Sequence, residues 1–202
     1  MTRHRITAIL SVLAWCLAVD LAAQATGTTT FNAPYRAFAR SEFGVLVSFP
    51  NGGGTAFEGE YRLASGKLDI GFKGGVLDQS GAGNAVLLLG AEARQRVLTH
   101  TVDFPLDGAV VFGAGANLVS GSSILILPVG LSLGRRIATE SGVSIVPYVQ
   151  PTLFILAGDT QNHTQFALGL GIDFGFTPRF DARLSAGLGD VEGVSLGAVW
   201  VH

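Results

Sequence analysis

The sequence predicts an all-β fold: a closed, antiparallel, up-and-down transmembrane β-barrel of ten strands, or of eight, after a cleaved signal peptide. Three observations lead to this prediction. The mean hydropathy is +0.45, and only 14% of the 202 residues are charged, against about 25% in a typical soluble domain. No apolar stretch beyond the N-terminal one is long enough to span a membrane as a helix. Along most of the chain apolar residues alternate with small or polar ones, as in strands that face lipid on one side.

Residues 1–25 have the layout of a secretory signal peptide. The basic start MTRHR precedes the uncharged run ITAILSVLAWCLAV, and Ala23 and Ala25 have the spacing of a signal peptidase site. We expect cleavage after Ala25, or one or two residues earlier. A membrane anchor is the alternative, but the apolar run is short for a spanning helix. Because Cys16 lies in this segment, the mature chain is expected to contain no cysteine.

Two further regions follow the signal peptide. Residues 26–40 (TGTTTFNAPYRAFAR) show no clear period and are predicted to be a periplasmic lead-in. Residues 41–202 are predicted to form the barrel, because segments with period-2 alternation are separated there by turn residues. The ten segments are 42–49, 55–63, 68–77, 85–98, 106–118, 124–137, 144–156, 164–176, 179–188 and 194–201. An eight-stranded barrel would leave weak segments such as 42–49 outside.

The connections between segments predict which strand ends share a side of the membrane. Odd-numbered connections are rich in Gly, Ser and Asn and are expected to face outward, whereas even-numbered ones are expected to be periplasmic turns. A two-residue turn at Ser65-Gly66 would place Arg62 opposite Asp69 and Glu58 opposite Lys73. A three-residue turn at 177–179 would place Asp173 opposite Arg183. Opposite charges facing each other favour both registers.

Sorting the segments by parity separates an apolar face from a charged one. The charged face also carries many glycines, and small residues fit the crowded inside of a narrow barrel, so we expect it to line the interior. Its acids and bases are nearly balanced, as the pairing of buried charges requires. The predicted interior charge network consists of Glu58, Glu60, Arg62, Asp69, Lys73, Glu92, Arg94, Arg96, Asp107, Asp173, Asp181 and Arg183.

Aromatic residues on the apolar face gather near the ends of the segments. A lipid-spanning barrel places such residues in girdles at the two membrane interfaces. The core of a soluble sandwich or barrel has no reason to sort them in this way. The predicted periplasmic girdle consists of Phe43, Tyr61, Phe176, Phe180 and Trp200.

The stretch GLGIDFG, residues 169–175, has glycines spaced as in a phosphate-binding loop. Such a loop needs a strand before it and a helix after it. Here the alternation begins before the first glycine and continues beyond the last. We therefore interpret these glycines as leaving room inside a barrel, with Asp173 among them facing Arg183.

The final segment, GVSLGAVWVH, completes a resemblance to a known group of proteins. With the signal peptide and the alternating strands, it resembles the small outer-membrane β-barrels of the OmpA/OmpX-like and opacity-type group over residues 41–202. In that group the last strand ends in an aromatic residue, whereas His202 stands here. The resemblance implies insertion by the barrel-assembly machinery, contact with outer-membrane lipid and a location in the outer membrane.

The functional prediction is a structural or surface-exposed role without catalysis. A narrow channel or small-solute transporter is the first alternative. A lipid-modifying hydrolase at the outer rim is the less favoured one, because His163 lies near Asp159 and Thr160 but no serine has a recognisable spacing. No catalytic residue, cofactor site or metal site is predicted. Net charge is −2 and no basic run is present, so nucleic acid is not an expected partner, and a monomer is expected.

Overall fold

The computed structural model describes residues 25–34, 40–79, 85–140, 142–158 and 162–202. Residues 1–24, which hold most of the predicted signal peptide, lie outside this set. No helix among the described residues is long and apolar enough to cross a membrane. The strands are β1 (Glu42–Pro50), β2 (Thr55–Ser65), β3 (Leu68–Asp78), β4 (Ala85–Leu98), β5 (Asp107–Val119), β6 (Ser122–Gly134), β7 (Ile137–Ala138), β8 (Ser144–Gly158), β9 (His163–Gly175), β10 (Phe180–Gly189) and β11 (Gly193–Val201).

Ten of these strands form a closed antiparallel barrel. Each pairs with its neighbours in the chain, β6 pairs with β8, and β1 pairs with β11 to close the ring. β7 is a two-residue strand that pairs only with the start of β8. The fold class is confirmed, with ten strands rather than eight, and segment 42–49 is a full member of the barrel as β1. Closure leaves no unpaired sheet edge, which is what a strand needs in lipid.

The barrel has two ends with different connections. The termini of the barrel and the connections after β2, β4, β6 and β9 lie at one end, which we call the turn end. The connections after β1, β3, β5, β8 and β10 lie at the other, which we call the loop end. The predicted segment bounds differ from the observed strands by three residues at most, the largest difference being at the C-terminal end of β6.

The apolar face lies outside and the charged face lies inside. Phe57 is 55% exposed on β2, whereas its neighbour Glu58 is 4% exposed. On β3 Phe72 is 52% exposed, and Lys73 is 7% exposed. A soluble barrel would have the opposite sense, because so large an exposed apolar surface is unfavourable in water. The sidedness is that of a barrel surrounded by lipid.

The β9–β10 hairpin has the predicted register. Asp173 lies opposite Arg183, and the Phe176 N–H donates to the carbonyl of Phe180 at 3.1 Å across the connection 177–179. The three-residue connection 177–179 determines this register, and the charge pair Asp173–Arg183 agrees with it.

The β2–β3 hairpin is shifted from its predicted register. Ser65 lies opposite Leu68, so the turn consists of Gly66 and Lys67, and Lys73 faces Glu60 rather than Glu58. A tight hairpin turn requires a positive φ at its first central residue. Gly66 has φ 60°, whereas the predicted turn would have put Ser65 there. The shift preserves which face each residue occupies, so the sidedness is unaffected.

Residues 25–34, which we call the inner segment, lie inside the barrel. All ten are buried, and they contact the inward side chains of the barrel wall. This position differs from the periplasmic lead-in that the sequence predicted for 26–40. The inner segment has no period of its own because it forms no strand. The wall side chains that each residue of the inner segment contacts, rather than a repeating pattern, determine where its polar residues lie.

Candidate functional site: the barrel lumen

Most of the predicted charge network lines the half of the lumen nearer the turn end, whereas Glu58 lies nearer the loop end of β2. Eleven of its twelve residues are buried, and Arg96 is half-buried. The centre of the network is Arg62, whose guanidinium group lies 2.8 Å from Glu60, 2.7 Å from Asp69 and 3.1 Å from Glu92. Arg94 bridges the same Asp69 carboxylate at 2.5 Å. Shared guanidinium groups of this kind allow several carboxylates to remain ionised away from water.

A second cluster lies across the lumen around Arg183. Its Nε donates to Asp173 at 3.3 Å, and its Nη2 donates to Glu42 at 2.7 Å. Sequence reasoning identified the first partner and missed Glu42. The alternation of β1 would have identified this residue: Phe43 and Val45 point outward, so Glu42, at the alternate position, faces inward.

The inner segment is held by its backbone. Five successive carbonyls, from Thr29 to Ala33, each accept a hydrogen bond from a different side chain of the wall. The donors belong to five strands, so the segment is contacted from all around the barrel. The bonds are Ser185 Oγ to Thr29 O at 2.7 Å, Lys73 Nζ to Thr30 O at 3.3 Å, Tyr148 Oη to Phe31 O at 2.6 Å, Ser132 Oγ to Asn32 O at 2.7 Å and Arg94 Nη1 to Ala33 O at 2.9 Å. Buried carbonyls must be paired, and here the wall takes the place of water.

Alternate threonines of the inner segment form a chain of hydroxyl groups between two wall charges. Lys73 Nζ donates to Thr30 Oγ1 at 2.7 Å, and Thr28 Oγ1 donates to Glu58 Oε2 at 2.7 Å. Thr28 Oγ1 also lies 3.0 Å from Thr30 Oγ1 and 3.3 Å from Thr26 Oγ1. A hydroxyl has one proton to donate and two lone pairs. Since the proton of Thr28 goes to Glu58, Thr26 and Thr30 must both donate to Thr28.

Inward glycines leave the space that the inner segment and large wall side chains occupy. A Cβ on Gly169 would lie 2.3 Å from the Phe31 ring, and one on Gly171 would lie 2.1 Å from the Tyr148 ring. A Cβ on Gly115 would overlap the carbonyl of Ala25. The glycines of GLGIDFG therefore do leave room inside the barrel, and Phe31 of the same chain occupies the room at Gly169.

The loop-end half of the lumen combines apolar and uncharged polar side chains, whereas the turn end carries most of the charges. Buried Ser48, Asn117, Gln165 and Ser195 lie there beside aliphatic and aromatic residues. The apolar residues form two clusters, one of Ala56, Leu77, Val86 and Leu88 and one that includes Ile126, Phe154, Leu156, Ala167 and Val191. Val191 reaches the lumen from the β10–β11 connection, so a loop residue also contributes to filling this end.

The five aromatic residues of the predicted girdle all point outward near the turn end. Phe43 lies opposite both Trp200 and Tyr61, and Trp200 lies opposite Phe180. The ring of Phe180 stacks with that of Phe176, their centroids 6.5 Å apart. The five rings thus form one lateral row across β2, β1, β11, β10 and the residue that follows β9.

Two other features complete the description of the turn end. A cavity of about 390 Å³ opens there, lined by polar groups that include Arg40, Glu42, Arg136 and Asp181. In the β4–β5 connection, His100 Nδ1 lies 3.0 Å from Asp107. The described residues contain no group of three or more His, Cys, Asp or Glu that could hold a metal ion.

The rim-hydrolase alternative falls partly outside the described residues. His163 begins β9 and is exposed at the loop end, but Asp159 and Thr160 are not among the residues that the structure describes. The site of this alternative therefore has no geometry to report beyond the position of His163.

Comparisons with known proteins identify the fold. No protein-family model matches the sequence, and no curated protein matches it. Among solved structures, the β domain of the Bordetella autotransporter Brka is 12% identical, with a TM-score of 0.50 over 81% of this chain and 100% of that chain. A de novo designed transmembrane β-barrel is 15% identical, with a TM-score of 0.41 over 81% of this chain and 95% of that one. At this identity the likeness to the Brka domain is one of fold alone, the transmembrane β-barrel.

Proposed function

We propose that this chain is an integral outer-membrane β-barrel whose lumen is closed by its own inner segment, and that it has a structural or surface-exposed role without catalysis. The observation that carries the proposal is the set of five consecutive carbonyls of the inner segment, each bonded to a different wall side chain. A segment bound on all sides leaves little space through which a solute could pass.

The buried apolar side chains in the loop-end half of the lumen support a closed barrel as well. Leu77, Leu88, Ile126 and Phe154 are each at most 1% exposed. A water-filled channel would leave inward side chains hydrated, and an apolar constriction opposes the passage of ions. The channel alternative therefore has two obstacles in series, the inner segment and the apolar clusters nearer the loop end.

The outer apolar surface supports a location in the outer membrane. Outer-membrane lipid and the barrel-assembly machinery are the partners that this location implies, and we expect a monomer. Membrane fractionation tests this part of the proposal. Recovery in the outer-membrane fraction, with a gel mobility that changes on heating, is expected, whereas recovery as a soluble periplasmic protein would contradict it.

Conductance in planar bilayers tests whether the lumen is closed. The purified full chain is expected to show no conductance steps above background. A variant that lacks residues 26–34 is expected to conduct if it still shows the heat-dependent mobility of a folded barrel.

Point variants keep the test valid if that deletion prevents folding. Phe31→Ala removes a ring from the lumen, and Phe43→Ala removes the same ring from the outer surface, where the residue is 51% exposed. Current fluctuations are expected only for the first variant. Steady conductance by the unaltered protein would exclude a closed barrel and favour the channel alternative.

A further inference from the structure

The lumen contains more acidic than basic side chains. Eight carboxylates are buried among the described residues, against four buried bases. Half-buried Arg96 lessens the difference by one, and His100 faces one of the carboxylates. Burying unpaired carboxylates is costly, so a further cation inside the barrel would be stabilising.

Glu58 is the carboxylate at which such a cation is missing. Its side chain is buried on β2, and its Oε2 accepts a hydrogen bond from Thr28 at 2.7 Å. Its Oε1 is buried and has no hydrogen-bond partner, and no ion pair involves Glu58 within the described part of the chain. The nearest strand neighbour with a positive charge, Lys73, lies opposite Glu60 and binds that residue at 3.7 Å.

The beginning of the inner segment lies next to this carboxylate. Thr26 donates its hydroxyl to Thr28, which in turn donates to Glu58. In the uncut chain, the residue before Thr26 is Ala25, which packs into the space left by Gly90 and Gly115. Ala25 is also the residue after which the spacing of Ala23 and Ala25 predicts signal peptidase cleavage.

We propose that signal peptidase cleavage after Ala25 leaves the α-ammonium group of Thr26 inside the lumen, where it is the counter-ion of Glu58. Water cleaves the Ala25–Thr26 peptide bond: its oxygen becomes part of the new Ala25 carboxylate, and the nitrogen of Thr26 takes up both of its protons to become an ammonium group. An ammonium group has three donors and no acceptor, which suits a carboxylate oxygen without a partner. The inference rests on the proposed closed lumen, because the new terminus must remain inside the barrel.

This terminus would also fix the inner segment at its free end. At the other end the segment continues into β1, and along its length the wall holds its carbonyls. With an ion pair at Thr26, both ends are attached and sliding toward the turn end would break a buried pair. Cleavage would therefore complete the binding of the inner segment to the barrel.

Amine labelling of the folded protein tests the inference with internal controls. The sequence contains Lys67 and Lys73 and no other lysine, so the mature protein has these two ε-amines and one α-amine. Lys67 is exposed in the β2–β3 turn, and Lys73 is buried. Protein purified in detergent from the outer membrane would be treated with an amine-reactive ester near pH 8, where α-amines react readily, and each site would be quantified by mass spectrometry.

The expected result is an N-terminus at Thr26 whose α-amine reacts at least about tenfold more slowly than Lys67 in the folded protein, as buried groups do. After unfolding, all three amines should react. A different first residue, or an α-amine that reacts as fast as Lys67 in the folded state, would overturn the proposal.

Two variants assign the effect to Glu58. Glu58→Gln is expected to raise the α-amine labelling rate about tenfold while Lys73 remains protected. Glu60→Gln, the matched control on the same strand, is expected to leave the α-amine protected. Equal α-amine rates in Glu58→Gln and the unaltered protein would also overturn the pairing, and Glu58→Asp serves in its place if Glu58→Gln does not fold. A silent barrel in the conductance test with a reactive N-terminus would contradict this inference alone and leave the closed lumen standing.

Discussion

At the scale of single residues, the interior depends on side chains that serve several partners. Arg62 bridges three carboxylates, so the loss of this one cation affects all of them. Phe31 occupies space that a glycine leaves open, so the packing of the inner segment depends on the absence of a methyl group. Both features can be tested by single substitutions with matched controls.

Arg62→Met is expected to destabilise the barrel by about 3–5 kcal/mol, because removing one partner leaves buried carboxylates without their cation. Arg179→Met, at an exposed turn, is expected to change stability by no more than about 0.5 kcal/mol. Urea unfolding of both variants in detergent micelles measures the difference. Equal midpoints would mean that Arg62 does not hold the network together.

Gly169→Ala is expected to cost about 1–3 kcal/mol, because its methyl group would overlap the Phe31 ring. Gly74→Ala is the control, since a Cβ there would lie 3.7 Å from its nearest neighbour. Combining Gly169→Ala with Phe31→Ala should cost less than the sum of the two single changes, because the shortened side chain makes room. Strict additivity in the same unfolding assay would show that residues 169 and 31 do not touch.

At the scale of elements, alternation and turn chemistry account for what could be predicted. Strand parity separated lipid-facing from inward residues because successive side chains along a strand point to opposite faces of the sheet. The β9–β10 register followed from the three-residue connection 177–179, which places Asp173 opposite Arg183. The β2–β3 register was not predicted correctly, since a shift by two residues keeps both faces and only the φ of Gly66 distinguishes the alternatives.

Gly66→Ala is expected to destabilise the β2–β3 hairpin by about 1–2 kcal/mol, because φ 60° is unfavourable for a residue with a Cβ. Gly66→Asn should cost less, as asparagine tolerates this conformation. No atom lies within 4 Å of a Cβ at this position, so steric overlap does not contribute. Thermal unfolding of the three proteins gives the order, and an alanine variant as stable as the unaltered chain would contradict the turn assignment.

The inner segment was beyond sequence reasoning for a physical reason. Its hydrogen-bond donors are spread over five strands, and its partners are up to 156 residues away in the chain. No local period reports such contacts. Its composition did contain one signal, the alternate threonines at 26, 28 and 30, whose hydroxyl groups meet along a segment of turns and bends.

At the scale of the whole molecule, the barrel has the reverse of a soluble protein's arrangement. Its charged side chains lie inside, and its large apolar side chains lie outside. The aromatic girdle and the outer apolar surface need lipid around them. The interior charge network needs to be shielded from lipid. The position of a substitution relative to these two regions should therefore decide its effect on membrane insertion.

Val129→Arg is expected to weaken insertion by about 2–4 kcal/mol, because the residue is outward-facing in the middle of β6. Ile137→Arg is the matched control: Ile137 is 52% exposed, close to the 50% of Val129, but lies in the turn-end connection. It should cost at most about 1 kcal/mol, as near an interface. Folding into lipid vesicles, measured by heat-dependent gel mobility, compares the two, and equal losses would contradict a membrane belt at the level of Val129.

The route of the inner segment bears on the order of assembly. It precedes every strand in the chain, yet Phe31 donates to Ser185 of β10, 154 residues later. Contacts between such distant positions form late, because a long loop must close first. The inner segment can therefore form its full set of hydrogen bonds only when the last strands are in place. Its burial would show that the barrel has closed.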